Sequence, residues 1–363
     1  MDTFPIYTPI QLLGTFVEDS ALPMFWKNLG FNSTPIYSDD RVIEFSKSNT
    51  LRKVAPFVSP KSEGVAIYNN RESVSRITTA YIKLKDSVSP SDFTGKREIG
   101  AGELGAAGQR APLTPSQRYD FRVAEITRQH ITAIDNTIEI MCFQAIANGI
   151  VEIRDDETNT VDVANFGRDP SHTITLASGA RWSDAGINPL DSFSAWKLLA
   201  RRPKGKESSQ RHGAAPNLWI MGREAAETFR KNEEVRKELD LNYARTSQTR
   251  INTGALEGLD IEYIGRLNNG DDIWMYNEYV EDADGNLVEI MDPRDVIGIN
   301  AVALNGQIAY GTIENFKANL GSLDRFPSMF ANTDGSAHFL QNESAPMVFP
   351  VNPNATLRAR VIA

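Results

Sequence analysis

Residues 114–149 read TPSQRYDFRVAEITRQHITAIDNTIEIMCFQAIANG. Thr114, Pro115 and Gln117 supply an N-cap, a proline at the first helical position and the glutamine of a capping box. Tyr119, Val123, Ile126, His130, Ile134, Ile138, Met141 and Ala145 then recur every three or four residues, so one face of a helix stays apolar. Gly149 offers a left-handed stop after Asn148. The spacing predicts a helix over 115–148, about 50 Å long at ~1.5 Å per residue. Neither glycine nor proline interrupts it after Pro115. A rod of this length is a spine for the rest of the chain.

The chain has 363 residues, enough for two domains or one domain with long extensions, and is 41% hydrophobic and 23% charged, as a folded protein is. A net charge of −9 argues against general nucleic-acid affinity. A single cysteine, Cys142, excludes an intrachain disulfide and a cysteine zinc site; among Ile138, Met141 and Ile146 it is expected as a small core residue. The first residues lack a signal-peptide pattern, and no run reaches the ~18–20 apolar residues of a membrane span. The expected compartment is a reducing cytoplasm, or a particle assembled there.

Upstream of the spine, residues 1–40 carry Phe25, Trp26 and Phe31 among prolines. An arm that buries these aromatics elsewhere and a first layer of the same domain fit them equally. Strand-like runs occur at Val54–Val58, Gly64–Tyr68 and Ile77–Leu84, the last alternating with Ala80, Ile82 and Leu84 on one face. Residues 87–112 follow, rich in Gly, Ser, Pro and Ala. A long hairpin with little core of its own needs a further partner, which suggests a loop lying on a neighbouring subunit. Downstream, the sequence predicts a hairpin over 150–163, a helix over Pro189–Arg202 with Phe193, Trp196, Leu199 and Ala200 inward, and a compact α+β unit over 216–325. That unit holds a strand at Leu218–Met221, a helix over Arg223–Leu239 with Ala226, Phe229 and Val235 inward, and strands at 259–264, 272–279, 287–290 and 296–303. Asp284-Gly285 is a hairpin turn. A last strand lies near Ala345–Val351, with alternation at Leu357 and Val361.

Chemical motifs fail on context. Gly100-Ala101-Gly102-Glu103-Leu104-Gly105 matches the dinucleotide fingerprint but lacks the preceding strand and following helix. Gly95-Lys96 and Gly205-Lys206 lack the first glycine and the Ser or Thr of a P-loop. Asp155-Asp156-Glu157 reads as a solvated turn, and His130, His172, His212 and His338 lack metal-ligand spacing. No nucleophile, base and orienting acid come together, so no catalytic, cofactor or metal site is expected. The basic stretch Arg201, Arg202, Lys204, Lys206 and Arg211 is a solvated loop or a phosphate contact.

The order of these elements resembles the tailed-phage major capsid protein of the Hong Kong phage type, and more specifically the lambda-type, phage capsid protein E family. The resemblance is carried by Tyr7-Thr8-Pro9-Ile10-Gln11-Leu12-Leu13, Val54-Ala55-Pro56-Phe57-Val58-Ser59-Pro60, Tyr81-Ile82-Lys83-Leu84-Lys85 with Val88-Ser89-Pro90, the helix from Phe229 to Leu239, and Glu343-Ser344-Ala345-Pro346-Met347. It spans essentially the whole chain, in order.

The resemblance implies an α+β fold with an N-terminal arm (1–42), an extended two-stranded loop (43–113), a peripheral domain on the spine (114–215), an axial domain (216–325) and a return to the peripheral domain (326–363). It implies a non-enzymatic head protein without cofactors, assembling as hexamers and pentamers into an icosahedral shell around double-stranded DNA. The virion is its expected location, the host cytoplasm its place of assembly. A separate scaffolding protein, a portal and a decoration protein are the implied partners, with no membrane. The extended loop is expected to bury Phe57, Val65, Ile67, Tyr81 and Ile82 against adjacent subunits, and Arg201, Arg202, Lys204, Lys206 and Arg211 are candidates to face DNA. An encapsulin-like compartment and a cytosolic nucleotide-binding enzyme are the competing readings.

Overall fold

A computed structural model describes residues 6–8, 24–48, 72–92, 114–154, 161–201, 214–238, 261–281, 286–333 and 335–363. The spine is a helix over Pro115–Ala147, closed by the expected capping box: the Gln117 amide donates to Thr114 Oγ1 (3.3 Å) and the Thr114 amide to Gln117 Oε1 (2.9 Å). All eight positions assigned inward are at most 4% exposed. Asn148 ends the helix and Gly149 turns the chain at φ +69°, where an added Cβ would lie 2.7 Å from Arg168 Cβ. Two cations meet this C-terminus, as the helix dipole favours. Arg168 donates to the Ile146 carbonyl (3.0 Å) and Arg358 to Asn148 Oδ1 (2.5 Å). Burial, with Arg358 nearby, pulls the Arg168 guanidinium down to about 10.

A six-stranded mixed sheet abuts the C-terminal half of the spine. Its order is Thr173–Thr175, Thr356–Arg360, Asp295–Ile299, Leu218–Met221, Asp272–Tyr276, Ile261–Arg266. Alternation along the strands sends Trp219, Met221, Ile273, Val296, Leu357 and Ala359 to one side, against the helices Pro189–Arg201 and Arg223–Lys231. Ile220, Trp274, Tyr276, Ile297 and Ile299 point the other way, into the core shared with Ile134, Ile138, Cys142 and Ile146 of the spine. Cys142 is fully buried, and burial pushes its thiol well above the usual range.

The N-terminal half of the spine is covered by a three-stranded antiparallel sheet, Phe326–Ala331, His338–Ser344 and Ile82–Val88, through Val88, Met329 and Leu340. A second small sheet joins Ile36–Tyr37, Gly306–Tyr310 and Pro346–Pro350. Gly306 is needed there, because an added Cβ would stand 2.4 Å from the Gly30 carbonyl oxygen. Phe25, Trp26 and Phe31 are buried in the chain's own core, so this segment is a layer of the protomer rather than an arm laid on something else. Strands Val42–Ser48 and Glu72–Thr78 form a two-stranded ribbon; the expected strands at 54–58 and 64–68 lie outside the described residues.

Several boundaries differ from the sequence reading, the strand expected at 259–264 running two residues further, to Arg266. The run 77–84 is two strands, because Thr79-Ala80-Tyr81 turns the chain from the ribbon into the spine-side sheet; the Thr79 amide donates to the Arg41 carbonyl on the ribbon side and the Ala80 amide to the Pro346 carbonyl on the other. The helix from Arg223 stops at Lys231. Asn232 is extended (ψ 131°) and its Oδ1 accepts from the amides of Glu234 and Val235, restarting a short helical segment over 233–238. Strand 272–279 breaks at Asn277-Glu278, and its continuation Tyr279–Glu281 pairs with Leu287–Glu289. Strand 296–303 ends at Ile299, where Asn300 caps a helical turn over Ala301–Leu304. The 150–163 hairpin forms, as Ile150–Arg154 paired with Val161–Asn165. Its acidic turn and the Asp284-Gly285 turn lie outside the described residues.

Candidate assembly surface

The expected contact residues fall in two groups. Phe57, Val65 and Ile67 lie outside the described residues. Tyr81 and Ile82 sit where the ribbon leaves the body. The Tyr81 hydroxyl donates to Glu343 Oε2 (2.5 Å), and the Arg41 guanidinium lies 5.4 Å above its ring. Burial, reinforced by Glu343, pushes the Tyr81 phenol far above its ordinary value. Ile82 pairs with Ser344 and packs on the main core.

Glu343 is the hub of this joint. Its side chain is fully buried, and it accepts from Tyr81, Gln341 and Asn315 Nδ2 (2.9 Å), with Lys83 Nζ at 3.5 Å. One buried carboxylate thus fixes the ribbon's root, the spine-side sheet and the loop after Tyr310. Buried charge is tolerable only when so fully partnered.

Of the basic stretch, Arg201 is exposed at the end of its helix; Arg202, Lys204, Lys206 and Arg211 lie outside the described residues. His130 is buried on the spine with Nε2 2.7 Å from Asp86 Oδ2, and His172 Nδ1 lies 2.9 Å from the Thr356 carbonyl. Among the described residues no group of three or more His, Cys, Asp or Glu could hold a metal ion, and no helix is long and apolar enough to cross a membrane.

The structure adds a surface that sequence reasoning missed. The loop from Gly311 to Arg325 closes on itself through a Thr312–Ser322 bridge and an Ile313 amide to Gly321 carbonyl bond (3.1 Å). Its tip carries Phe316, 94% exposed, then Leu320 at 53%. Ile36 and Tyr37, on the strand edge beside the root of the loop, are also exposed. Phe316 lies between Asn315 and Lys317, and Ile313, Phe316, Leu320 and Leu323 recur at helical spacing, so sequence patterning alone would bury it on a helix face rather than mark it as a surface.

Comparison with known proteins follows the same lines. The sequence pattern of the phage major capsid protein E family matches residues 11–361. A solved structure described as a prophage capsid protein of Escherichia coli CFT073 superposes with a TM-score of 0.71 at 19% identity, covering 99% of this chain and 100% of that one. The capsid of cyanophage A-1(L) gives 0.49 at 11% identity over 96% and 95%. The SrpI encapsulin of Synechococcus elongatus PCC 7942 gives 0.43 at 8% identity over 99% and 96%. These last two are too distant to bear on function. Among curated proteins, none matches the chain in sequence.

Proposed function

The chain belongs to the phage major capsid protein E family, and from that premise we propose that it builds an icosahedral head from hexamers and pentamers of itself around double-stranded DNA. The observation that carries the reading is a family match over nearly the whole chain, 11–361, on a fold that also superposes end to end with a prophage capsid protein. Family membership makes the chain a structural component of a phage particle; the arrangement of its copies is the proposal.

In this reading one protomer surface must tolerate both five-fold and six-fold rings. The spine and large sheet supply a rigid body, and the chain from 43 to 113 supplies the adaptable contact, with Phe57, Val65 and Ile67 as the candidate anchors. Tyr81 and Ile82 hold the root of that loop, so an aspartate at Tyr81 would set a second carboxylate against Glu343 and disturb the fold as well as assembly. Each stable contact should remove more than ~1,000 Å² from water. The axial unit is the large sheet with its two helices, drawn mainly from 216–325 and completed by Thr173–Thr175, Pro189–Arg201 and Thr356–Arg360. The net charge of −9 suits a container that must not grip its DNA, with the 201–211 stretch as the local exception. A scaffolding protein, a portal and a decoration protein complete the proposed set of partners.

Co-expression of the chain with the neighbouring head genes, followed by negative-stain electron microscopy, tests this. Closed shells or capsomer rings are expected; a chain that stays small beside its scaffold would contradict it. Genes for terminase and portal nearby would separate a phage head from a cargo compartment. Fluorescence titration with NAD tests the enzyme alternative, with no change expected.

A further inference from the structure

The 311–325 loop is built more rigidly than an exposed loop needs to be. Asn315 Oδ1 accepts from the Lys317 amide (2.9 Å) and starts the helical turn Phe316–Ala318. The Ala318 amide donates to the Asn315 carbonyl and the Gly321 amide to that of Ala318, both at 3.0 Å. Asn315 Nδ2 ties the turn to buried Glu343, and Arg41 pairs with Glu314 (3.2 Å) at its side. Asn319 and Leu320 then occupy the left-handed region in succession, each at φ 54°. Asparagine tolerates that conformation; leucine does so at a cost that glycine or asparagine would avoid. Leu320 holds the strained backbone while more than half of it stands in water. Strain at an exposed site, beside an almost wholly exposed phenylalanine on a locked turn, is the arrangement of a pre-organised anchor.

Resting on the capsid reading above, we propose that the loop tip packs Phe316, flanked by Leu320, against a second copy of this chain. A copy is the occupant because a capsid subunit is flanked chiefly by copies of itself. The surface around the loop's root fits such a contact: Ile36 and Tyr37 continue the apolar patch along a sheet edge whose outer strand is only two residues long. Lys317, on the same turn, lies 5.7 Å from the Phe330 ring and leaves Phe316 uncovered.

The test uses the full chain co-expressed with its head genes, as wild type, Phe316→Ser and Leu320→Gly. Both variants should be folded as isolated subunits, and Leu320→Gly should melt no lower than wild type because glycine accepts the left-handed backbone. Phe316→Ser should lower the yield of sedimenting particles at least tenfold, and Leu320→Gly severalfold despite its unimpaired subunit. Benzophenone placed at position 316 through Phe316→Cys should cross-link one copy to another, Cys142 being buried. Variants that assemble at wild-type yield, in particles where the 316 probe marks no second copy, overturn the anchor while leaving the capsid reading intact. A wild-type chain that stays monomeric beside its scaffold overturns both.

Discussion

The two halves of the core are held in different ways. Under the large sheet, Trp182, Phe193, Trp196, Trp219 and Phe229 fill one volume, with neighbouring ring centroids 4.4–6.0 Å apart. Its polar contacts converge on one buried carboxylate: Asp271 accepts from Trp219 Nε1 (3.1 Å) and pairs with Lys197, while Trp182 Nε1 donates to Ser192 (3.2 Å). Along the spine the apolar stripe is laced with charge. His130 meets Asp86, Asp135 pairs with Arg325, and Glu139 accepts the backbone amides of Trp26 (2.6 Å) and Lys27 (3.1 Å). The difference has a geometric reason. A 33-residue helix with a repeating apolar face can slide by one turn, ~5.4 Å, and still bury similar side chains. Such a slide would break every one of those polar pairs, so they fix the register of the rod, whereas close-packed rings of unequal shape fix themselves.

The comparison breaks first in the aromatic core. Trp219→Ala should cost about 3–5 kcal/mol, by cavity formation and loss of the Asp271 partner, read by denaturant unfolding. Arg325→Met should cost about 3 kcal/mol, because Asp135 is left buried without its cation. Adding Asp135→Leu should recover most of that loss, a rescue that no second substitution offers the Trp219 variant. A full loss in the double variant would mean that the pair is not what holds the seam.

The same seam should carry a pH signature. Burial raises the carboxyls of Asp135 and Glu139 above their ordinary values, against the pull of Arg325 and of the backbone amides and Lys27. With a folded pKa above the unfolded one, the native state binds more protons through that window. Stability from these groups is therefore full in acid and is lost as pH rises above ~4. Glu139→Gln should flatten the fall of melting temperature as pH rises above ~4; an unchanged slope would assign it elsewhere. Thr114→Ala should cost about 1 kcal/mol by opening the capping box. Asn342→Leu should be neutral or stabilising by up to about 1 kcal/mol, since the Asn342 amide is buried with no hydrogen-bond partner among the described residues.

The contrast also explains what the sequence could disclose. Periodicity is a local property, so the spine, its caps and its eight inward positions were legible, as were Phe193, Trp196, Phe229 and Val235 on the later helices. Sheet membership is not local: Thr173–Thr175 lies beside Thr356–Arg360, and nothing in either stretch names the other. The breaks at Thr79–Tyr81 and at Asn300 escaped because each obeys a neighbour across the fold rather than its own alternation. Val42–Ser48 was missed because its ladder partner, Glu72–Thr78, lies across a long intervening segment. Of the candidate contacts, Tyr81 and Ile82 looked like surface anchors because tyrosine and isoleucine at a loop end suit either side of an interface. Only the position of Glu343 shows that Tyr81 is engaged within the protomer. Phe316 escaped for the opposite reason: with Ile313, Leu320 and Leu323 it shares a spacing that suits a buried helix face, yet the chain forms only one short turn there and leaves it in water.

A cryo-electron microscopy reconstruction of the particle formed with the head genes tests the central claim most directly. The account predicts five- and six-fold rings made of this one chain, with the Pro115–Ala147 helix and the six-stranded sheet superposable between the two environments. A lattice formed by another chain, or a spine helix that shifts register between rings, would contradict it.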